Sequence, residues 1–235
     1  MKILQIGTGA MGKLLKSELQ KSSQVLAFSN AKQLPEEKFD ILIDFSHPDN
    51  LENIAEYLKK CPAPIVIATT GFNSEEEIII HQLSQQIPVL YSSNLSLGIT
   101  LMNQLVKEMA KTLAEDFDIE IIEKHHNKKI DAPSGTAKML AASINESLEN
   151  PDYKLIYGRS GIQPRSKNEI GIHSLRAGNI VGEHEVIFAG QDEILSIKHE
   201  ALSKMIFVRG AIKAANWLKN QENGLYTLEN VLFKS

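Results

Sequence analysis

The chain has 235 residues, of which 43% are hydrophobic, and a formal net charge of −4, so it can form one large domain or two small ones with a sizeable core. The slight acidity and the lack of a long basic stretch argue against nucleic acid as the main partner. The single cysteine, Cys61, excludes an intrachain disulfide and a cysteine-rich metal site.

The chain opens on a predicted buried strand, Lys2–Ile6, followed by a glycine-rich turn and a predicted helix over residues 13–21. The turn reads G-T-G-A-M-G, which matches the dinucleotide-binding pattern G-x-G-x-x-G between a strand and a helix. Its glycines allow the tight turn, the approach of the pyrophosphate and close helix–strand packing. The alternative is a tight turn that binds nothing. We predict cofactor contacts at Gly7, Thr8, Gly9, Ala10, Met11 and Gly12.

The acidic residue that usually follows about 20 residues later is missing. After a predicted second strand, residues 25–28, the chain continues with Ser29, Asn30, Ala31 and Lys32. A carboxylate there would bind the adenosine ribose of NAD and repel a 2′-phosphate. Its absence, with Lys32 close by, favours NADPH or the use of both NADPH and NADH. Lys32 as an ordinary solvated turn residue is the alternative.

Strand and helix patterns then alternate as far as residue 94. We predict strands over 39–45, 65–68 and 89–91, and helices over 51–60 and 74–86, the latter starting at a Ser74/Glu77 capping box. Such βα repeats build an α/β fold with a doubly wound parallel sheet, and ligands bind at the carboxyl ends of its strands. Polar turn residues at those ends have either a binding role or ordinary turn chemistry. If these strand ends bind the cofactor, the predicted cofactor site also includes Ala68, Thr69, Thr70, Ser92, Ser93 and Asn94.

The pattern changes in the second half of the chain. Helices are predicted over 97–114 and 136–148, a long loop over 157–169, and strands over 119–122, 170–176, 185–189 and 194–199. Turns at 177–179 and 190–192 predict antiparallel pairing of the last three strands. We therefore expect a dinucleotide-binding (Rossmann) domain, 1–96 plus 204–235. A predicted helix over 203–219 should pack back onto this domain. Residues 97–203 should form an α+β domain with a mixed or antiparallel sheet for substrate binding and oligomerisation.

Residues 123–137, E-K-H-H-N-K-K-I-D-A-P-S-G-T-A, carry the strongest chemical signal. Two histidines and a lysine precede a helix start, and helix N-termini favour carboxylates and phosphates. Histidine exchanges protons near neutral pH. The alternative is a basic surface loop with a capped helix. No histidine pair has helical H-x-x-x-H spacing, so we expect no metal site.

Four other stretches accompany this segment: I-D-F-S at 43–46, T-T-G-F at 69–72, S-N-L-S at 93–96 and R-A-G-N-I-V-G-E-H at 176–184. With these stretches, the chain resembles the dihydrodipicolinate reductase family nearly end to end. The resemblance implies an oxidoreductase of lysine and diaminopimelate biosynthesis. It would reduce 4-hydroxy-tetrahydrodipicolinate or dihydrodipicolinate to tetrahydrodipicolinate with NADH or NADPH, as a homotetramer. The glycine turn is one residue shorter than in many members. The acidic and basic pair after the second strand is not evident, which leaves the cofactor choice open.

The resemblance also assigns roles to residues. His125 matches the family's proton donor or acceptor, and Lys129 matches its proton donor. Substrate contacts fall on His126, Ser134, Gly135 and Thr136, and a cofactor contact falls on Leu95. His184 and His199 are expected to support the fold. Two other classes remain open, a nicotinamide-sensing or scaffold protein without chemistry and another two-domain reductase such as an amino-acid dehydrogenase.

The N-terminus reads as a core strand and lacks the pattern of a signal peptide. No apolar stretch reaches the roughly 18 residues of a membrane span. We therefore expect a cytoplasmic protein with a small-molecule substrate and no membrane or nucleic-acid partner.

Overall fold

A computed structural model describes residues 1–149 and 152–233. The chain forms two compact units, a first unit of residues 1–97 and 204–235 and a second unit of residues 98–203. The predicted domain ranges include residues 150, 151, 234 and 235, which lie outside the described residues.

The described residues form eleven strands, seven α-helices and one 3₁₀-helix, Pro48–Asn50. The strands are β1 (Lys2–Ile6), β2 (Gln24–Phe28), β3 (Ile41–Asp44), β4 (Ile65–Ile67), β5 (Pro88–Tyr91), β6 (Asp118–His125), β7 (Lys154–Tyr157), β8 (Glu169–Arg176), β9 (Glu183–Ala189), β10 (Ile194–Glu200) and β11 (Gly224–Tyr226). The helices are α1 (Ala10–Leu19), α2 (Leu51–Lys60), α3 (Ser74–Ser84), α4 (Leu97–Leu113), α5 (Gly135–Ser147), α6 (Met205–Leu218) and α7 (Leu228–Leu232).

The first unit is built on a six-stranded parallel sheet in the order β11-β5-β4-β3-β1-β2. Its central strands are short apolar runs, as expected for strands covered on both faces. Residues of α2 and α3 belong to one apolar cluster with the sheet, and residues of α1 and α6 belong to another. The predicted α/β class with a doubly wound parallel sheet is confirmed. The carboxyl ends of β1, β3, β4 and β5 share one edge of this sheet, where ligands bind in such folds.

Two local predictions in the first unit were wrong, and two short elements were missed. Helix α1 begins at Ala10, directly after the second glycine of the turn. The capping box of α3 uses Asn73 and Glu76, because Asn73 is the extended residue whose side chain accepts the N–H groups of Glu75 and Glu76. Strand β11 and helix α7 were not predicted, since a three-residue strand and a five-residue helix have too little periodicity to recognise.

The second unit contains a five-stranded mixed sheet in the order β10-β9-β6-β8-β7. Strand β6 lies at its centre, antiparallel to β9 and parallel to β8. Buried residues of β6, β8 and β9 form one apolar cluster with residues of α4 and α5. This places the C-terminal end of β6, and therefore His125, next to the end of β8.

The turn at residues 177–179 does not form the predicted hairpin, because β6 lies between β8 and β9. Turn chemistry is local, whereas this pairing is decided by the apolar strand β6, whose Ile119 and Ile121 pair on both sides. The turn at residues 190–192 does join antiparallel strands, β9 and β10. The predicted mixed or antiparallel sheet of the second unit is thus a mixed one.

Candidate active site

The glycine turn of the first unit, residues 7–12, is closely packed at Gly7 and Gly12 and open at Gly9. Gly7 has a φ of +95°, and a Cβ there would lie 2.1 Å from the carbonyl oxygen of Phe45. A Cβ on Gly12 would lie 2.1 Å from the carbonyl oxygen of Gly7, whereas a Cβ on Gly9 would meet nothing within 4 Å. Gly9 is the N-cap of α1 and makes no side-chain cap hydrogen bond to the N–H groups of the first helical turn. Close packing at the first and third glycines with open space at the second is what the dinucleotide-binding pattern requires.

A buried glutamine that the sequence analysis missed holds this turn. The Nε2 atom of Gln5 donates to the carbonyl oxygens of Gly7 and Gly12, each at 2.8 Å. Gln5 is fully buried between the apolar residues Leu4 and Ile6 of β1. A polar side chain in a buried strand needs hydrogen-bond partners, which is the sequence signal that could have pointed to it. The side chain ties the start of α1 to the end of β1.

Two adjoining cavities line the carboxyl ends of the strands in the first unit. The larger, of about 630 Å³, is lined by residues that include Met11, Ala68, Thr69 and Thr70. The smaller, of about 290 Å³, is lined by residues that include Ser92, Ser93, Asn94 and Leu95, and shares Met11, Phe45 and Ala68 with the first. The structure thus brings together these predicted cofactor residues. Lys32 lines neither cavity and is exposed to solvent.

The polar floor of the larger cavity depends on Asp44, which the sequence analysis did not select. Asp44 is 1% exposed and accepts hydrogen bonds from the N–H group and the Oγ of Ser46 at 3.1 and 2.5 Å. The Ser46 N–H also donates to Thr69 Oγ1 at 2.9 Å. Burial raises the pKa of Asp44 to about 6, although the hydrogen bonds from Ser46 and Thr69 oppose the shift. Asp44 thus joins the carboxyl ends of β3 and β4.

In the second unit, His125 is the last residue of β6 and not part of a loop. Its Nδ1 atom lies 2.6 Å from Oε2 of Glu123, a carboxylate with no solvent exposure. Burial lowers the pKa of His125, as do the charges of Lys129 and Arg176, while Glu123 opposes the shift. A Cβ on Gly182 would come 3.1 Å from His125 Nε2, so glycine leaves room beside that nitrogen.

Glu123 is the most connected group of this site, and the sequence analysis missed it. Arg176 donates to both of its oxygens, at 2.7 and 2.8 Å, and the Ser134 N–H donates to Oε1 at 3.1 Å. Burial alone would raise the pKa of Glu123, but hydrogen bonds from Arg176, Ser174, His125 and Ser134 outweigh it and lower the pKa to about 2. Glu123 is therefore ionised throughout the physiological pH range.

The turn formed by residues 131–136 leads into α5. Ser134 is the N-cap of this helix and accepts the Ala137 N–H at 3.2 Å. Its own N–H donates to Glu123 Oε1 at 3.1 Å, and the substrate contact expected at Ser134 stays a prediction. Gly135 is the exposed first residue of α5, followed by Thr136, so the predicted donors at the helix N-terminus begin there.

The two predicted cation sites lie in the segment that follows His125. Lys129 donates its backbone N–H to the carbonyl oxygen of His126 at 3.1 Å, and its Nζ pairs with Asp131 Oδ1 at 2.7 Å. The ring of His126 is partly buried, and its Nδ1 makes no hydrogen bond to any described residue. Lys129 is therefore paired with a carboxylate, whereas Nδ1 of His126 has no hydrogen-bond partner among the described residues.

His184 packs against the catalytic candidate and stays neutral. Its ring meets that of His125 edge-on, with centroids 5.2 Å apart, and its Nε2 bonds Ser134 Oγ at 2.9 Å. Burial, together with the charge of His125, lowers its pKa to about 4. This matches a structural role, and it also gives the folded state an acid-sensitive position.

We expect His184 to steepen the loss of stability in acid. Its pKa falls from 6.5 to about 4 on folding, so below pH 6.5 the unfolded chain binds a proton that the folded chain refuses. Stability is then lost as the pH falls from 6.5 toward 4, by at most about 3 kcal/mol. Thermal unfolding of His184→Gln between pH 7 and pH 4 should show a flatter pH dependence. His81→Gln, at an exposed histidine, is the control, and an unchanged slope in His184→Gln would refute the assignment.

In the part of the chain that the structure describes, no group of three or more histidine, cysteine or acidic side chains could hold a metal ion. Over the same residues, no helix is both long and apolar enough to span a membrane.

A parallel sheet with a glycine-rich turn after its first strand, and a second unit that carries His125 and Lys129, are features of two-unit, nicotinamide-dependent oxidoreductases. Comparison with known proteins identifies it further. Residues 7–95 match the family model described as dihydrodipicolinate reductase, N-terminus, and residues 98–232 match that of the C-terminus. The chain belongs to the dihydrodipicolinate reductase family.

Individual relatives agree with this assignment. A 4-hydroxy-tetrahydrodipicolinate reductase of Brachyspira hyodysenteriae is 46% identical over 99% of this chain and 100% of its own length. One of Clostridium novyi is 49% identical over 82% of this chain and 76% of its own length. The chain is accordingly an oxidoreductase of lysine and diaminopimelate biosynthesis.

Among solved structures, a dihydrodipicolinate reductase of Paenisporosarcina sp. TG-14 with dipicolinate bound matches with a TM-score of 0.77 at 22% identity, covering 98% of both chains. A diaminopimelate dehydrogenase of C. glutamicum matches with a TM-score of 0.53 at 11% identity, over 100% of this chain and 96% of its own. At these identities the likeness concerns the fold alone.

Proposed function

We propose that this chain reduces the cyclic dicarboxylate 4-hydroxy-tetrahydrodipicolinate, or its dehydrated form dihydrodipicolinate, to tetrahydrodipicolinate with NADH or NADPH. The observation that carries the proposal is the gathering of His125, Arg176 and the 131–136 turn around one buried carboxylate, Glu123. The names of the relatives and the dipicolinate bound to the Paenisporosarcina enzyme support the same substrate class.

The second unit offers positive charge and hydrogen-bond donors to a dianion. Lys129 and His126 lie on the segment that follows β6. The N-terminus of α5 at Gly135 and Thr136 adds the positive end of a helix dipole. A substrate carboxylate would compete with Asp131 for Lys129, exchanging one ion pair for another. Ser134 supports this turn through its bonds to Glu123 and His184.

The chemistry needs a hydride and a proton, and the hydroxylated substrate must in addition lose its 4-hydroxyl group as water, which gives the dehydrated ring that accepts the hydride. A bound reduced nicotinamide supplies the hydride. His125 then exchanges the proton that completes the reduction of the ring, and Lys129 stabilises the developing negative charge and acts as a proton source. Because its lowered pKa leaves most of His125 neutral at neutral pH, the positively charged Lys129 is suited to supply protons to the site.

A turnover assay separates this proposal from a sensing or scaffold protein. Purified protein should oxidise NADH or NADPH only when the cyclic dicarboxylate is present. Pyridine-2,6-dicarboxylate should inhibit competitively, whereas pyridine-2-carboxylate should inhibit far more weakly because it offers only one carboxylate. Equal inhibition by the two compounds would favour an enzyme acting on a monocarboxylate, such as an amino-acid dehydrogenase.

We infer that the first unit binds the cofactor through the glycine turn and the two cavities, and that both NADH and NADPH bind. Residues 29–32, which directly follow β2, contain no carboxylate that could repel a 2′-phosphate, and Lys32 is exposed there. One exposed charge contact contributes roughly 1 kcal/mol. Lys32→Ala should therefore weaken NADPH binding several-fold and leave NADH binding nearly unchanged in a fluorescence titration, with Lys38→Ala as the control. Equal losses for both cofactors would contradict the role of Lys32.

We also propose a cytoplasmic homotetramer assembled through the second unit. The edge strand β10 exposes Ile194 and Leu195 at 72% and 48%, and exposed sheet edges are usually covered in native proteins. The other edge strand, β7, exposes Tyr157 at 61%. Light scattering at micromolar concentration should give the mass of a tetramer, and a monomeric mass would contradict the proposal.

A further inference from the structure

We propose that Glu123 is a positioning residue for the reaction: its carboxylate fixes which nitrogen of His125 exchanges the proton, and the same carboxylate holds the turn that receives the substrate. This inference rests on the proposed function, in which His125 handles the proton and α5 receives a carboxylate. It concerns a residue that touches neither substrate nor cofactor in that scheme.

Glu123 is hydrogen-bonded to the ring of His125. An ionised carboxylate can only accept hydrogen bonds. The contact of 2.6 Å between His125 Nδ1 and Glu123 Oε2 therefore requires the proton of neutral His125 to reside on Nδ1. The Nε2 atom then carries the lone pair and becomes the nitrogen that takes up and releases a proton. A carboxylate that orients a histidine through its other ring nitrogen is a recurrent arrangement in active sites.

The second part is the set of other bonds that Glu123 accepts. Oε1 accepts the backbone N–H of Ser134 at 3.1 Å and Arg176 Nη2 at 2.7 Å. Arg176 Nη2 also donates to the carbonyl oxygen of Asp131 at 2.6 Å. One carboxylate and one guanidinium thus fix both ends of the segment from Asp131 to Ser134 relative to the end of β6. Through its one buried carboxylate, Glu123 links His125 to the N-terminus of α5.

Four ionisable groups face His125, and their charges act in different directions. Glu123 favours the protonated ring, whereas Lys129 and Arg176 disfavour it. The ring of His184 meets His125 edge-on and stays neutral near pH 7. Removing the negative charge at residue 123 should therefore lower the pKa of His125, and removing the positive charge at residue 176 should raise it. If Glu123 and Arg176 only supported the fold, replacing them would not shift the pKa of His125 in opposite directions.

The test begins with the unmodified enzyme. Nitrogen-15 NMR of histidine-labelled protein, with His125 assigned by comparison with His125→Gln, reports which ring nitrogen carries the proton. The expected result is the Nδ1–H tautomer for neutral His125. The Nε2–H tautomer would overturn the proposal without any variant having to fold.

The variants then test the consequence for catalysis. Glu123→Gln should reduce kcat by roughly 10–100-fold, less than the loss of His125 itself, and shift the NMR titration of His125 to lower pH. Arg176→Met should shift that titration to higher pH. Glu185→Gln is the control: it removes one negative charge from β9 and should change neither kcat nor the NMR titration of His125. A titration of His125 that is unmoved in Glu123→Gln would contradict the role of Glu123.

The two proposals fail in different ways. If the enzyme does not turn over the cyclic dicarboxylate, the proposed function fails whatever the tautomer of His125. If turnover depends on His125 but Glu123→Gln has the kcat, the pH profile and the His125 titration of the unmodified enzyme, the reductase assignment stands and the role of Glu123 is refuted.

Discussion

Replacing His125 with glutamine should lower turnover by about 10²–10⁴, the range of a general acid–base group. The KM for the cyclic substrate should change much less, because the loss falls on the transition state. The glutamine side chain is close in size to the imidazole and could still donate to Glu123, but it cannot exchange a proton near neutral pH. Steady-state kinetics on correctly folded protein measures both parameters.

Lys129 and His126, which follow His125 in the chain, should respond differently. Lys129→Ala should reduce turnover and substrate affinity together, because Lys129 both binds the dianion and supplies a proton, while cofactor affinity in a fluorescence titration stays unchanged. His126→Gln should act mainly on substrate affinity. Lys128→Ala, one residue from Lys129 and exposed, is the matched control. Near-normal turnover in both His125→Gln and Lys129→Ala would mean that the chemistry lies elsewhere.

The second large effect is expected at Gly9. Since a Cβ there meets nothing within 4 Å, Gly9→Ala should fold with nearly unchanged stability. The added methyl group would occupy the space that the pyrophosphate needs. Overpacking by one methyl group costs about 1–3 kcal/mol, which corresponds to roughly 5- to 150-fold weaker binding. NADH and NADPH should be affected equally, because they share the pyrophosphate.

Gly12→Ala is the contrasting variant, because its Cβ would lie 2.1 Å from the carbonyl oxygen of Gly7. This change should lower the melting temperature even without cofactor, whereas Gly9→Ala should lower only the increase in melting temperature that cofactor produces. Normal cofactor affinity in Gly9→Ala would show that the pyrophosphate does not approach the turn at this glycine.

The sequence predicted the parts of the fold that depend on local pattern. Continuous apolar runs marked strands β1, β3 and β4, and the glycine turn followed β1 directly, so the parallel sheet and its binding edge were recognisable. His125, Lys129 and the start of α5 were recognisable because they lie close together along the chain. Each of these features needs only its sequence neighbours to be understood.

The missed features depend on contacts between distant segments. Arg176 meets Glu123 only because β8 pairs with β6 in parallel, the same pairing that overturned the predicted hairpin at residues 177–179. Glu123 itself looked like an ordinary strand residue until its donors were known. Gln5 and Asp44 are polar residues inside apolar strands, and their importance appears only when the turns they bind are in place.

The most direct test of the account is the fate of the hydride. The enzyme is supplied with NADPH or NADH deuterated at C4 on the transferred face, together with freshly generated 4-hydroxy-tetrahydrodipicolinate, and the ring product is analysed by mass spectrometry. The account predicts tetrahydrodipicolinate carrying a single deuterium on a ring carbon, formed in equal amount to the oxidised cofactor. Oxidised cofactor without deuterium in the product, or no oxidation at all by the folded enzyme, would contradict it.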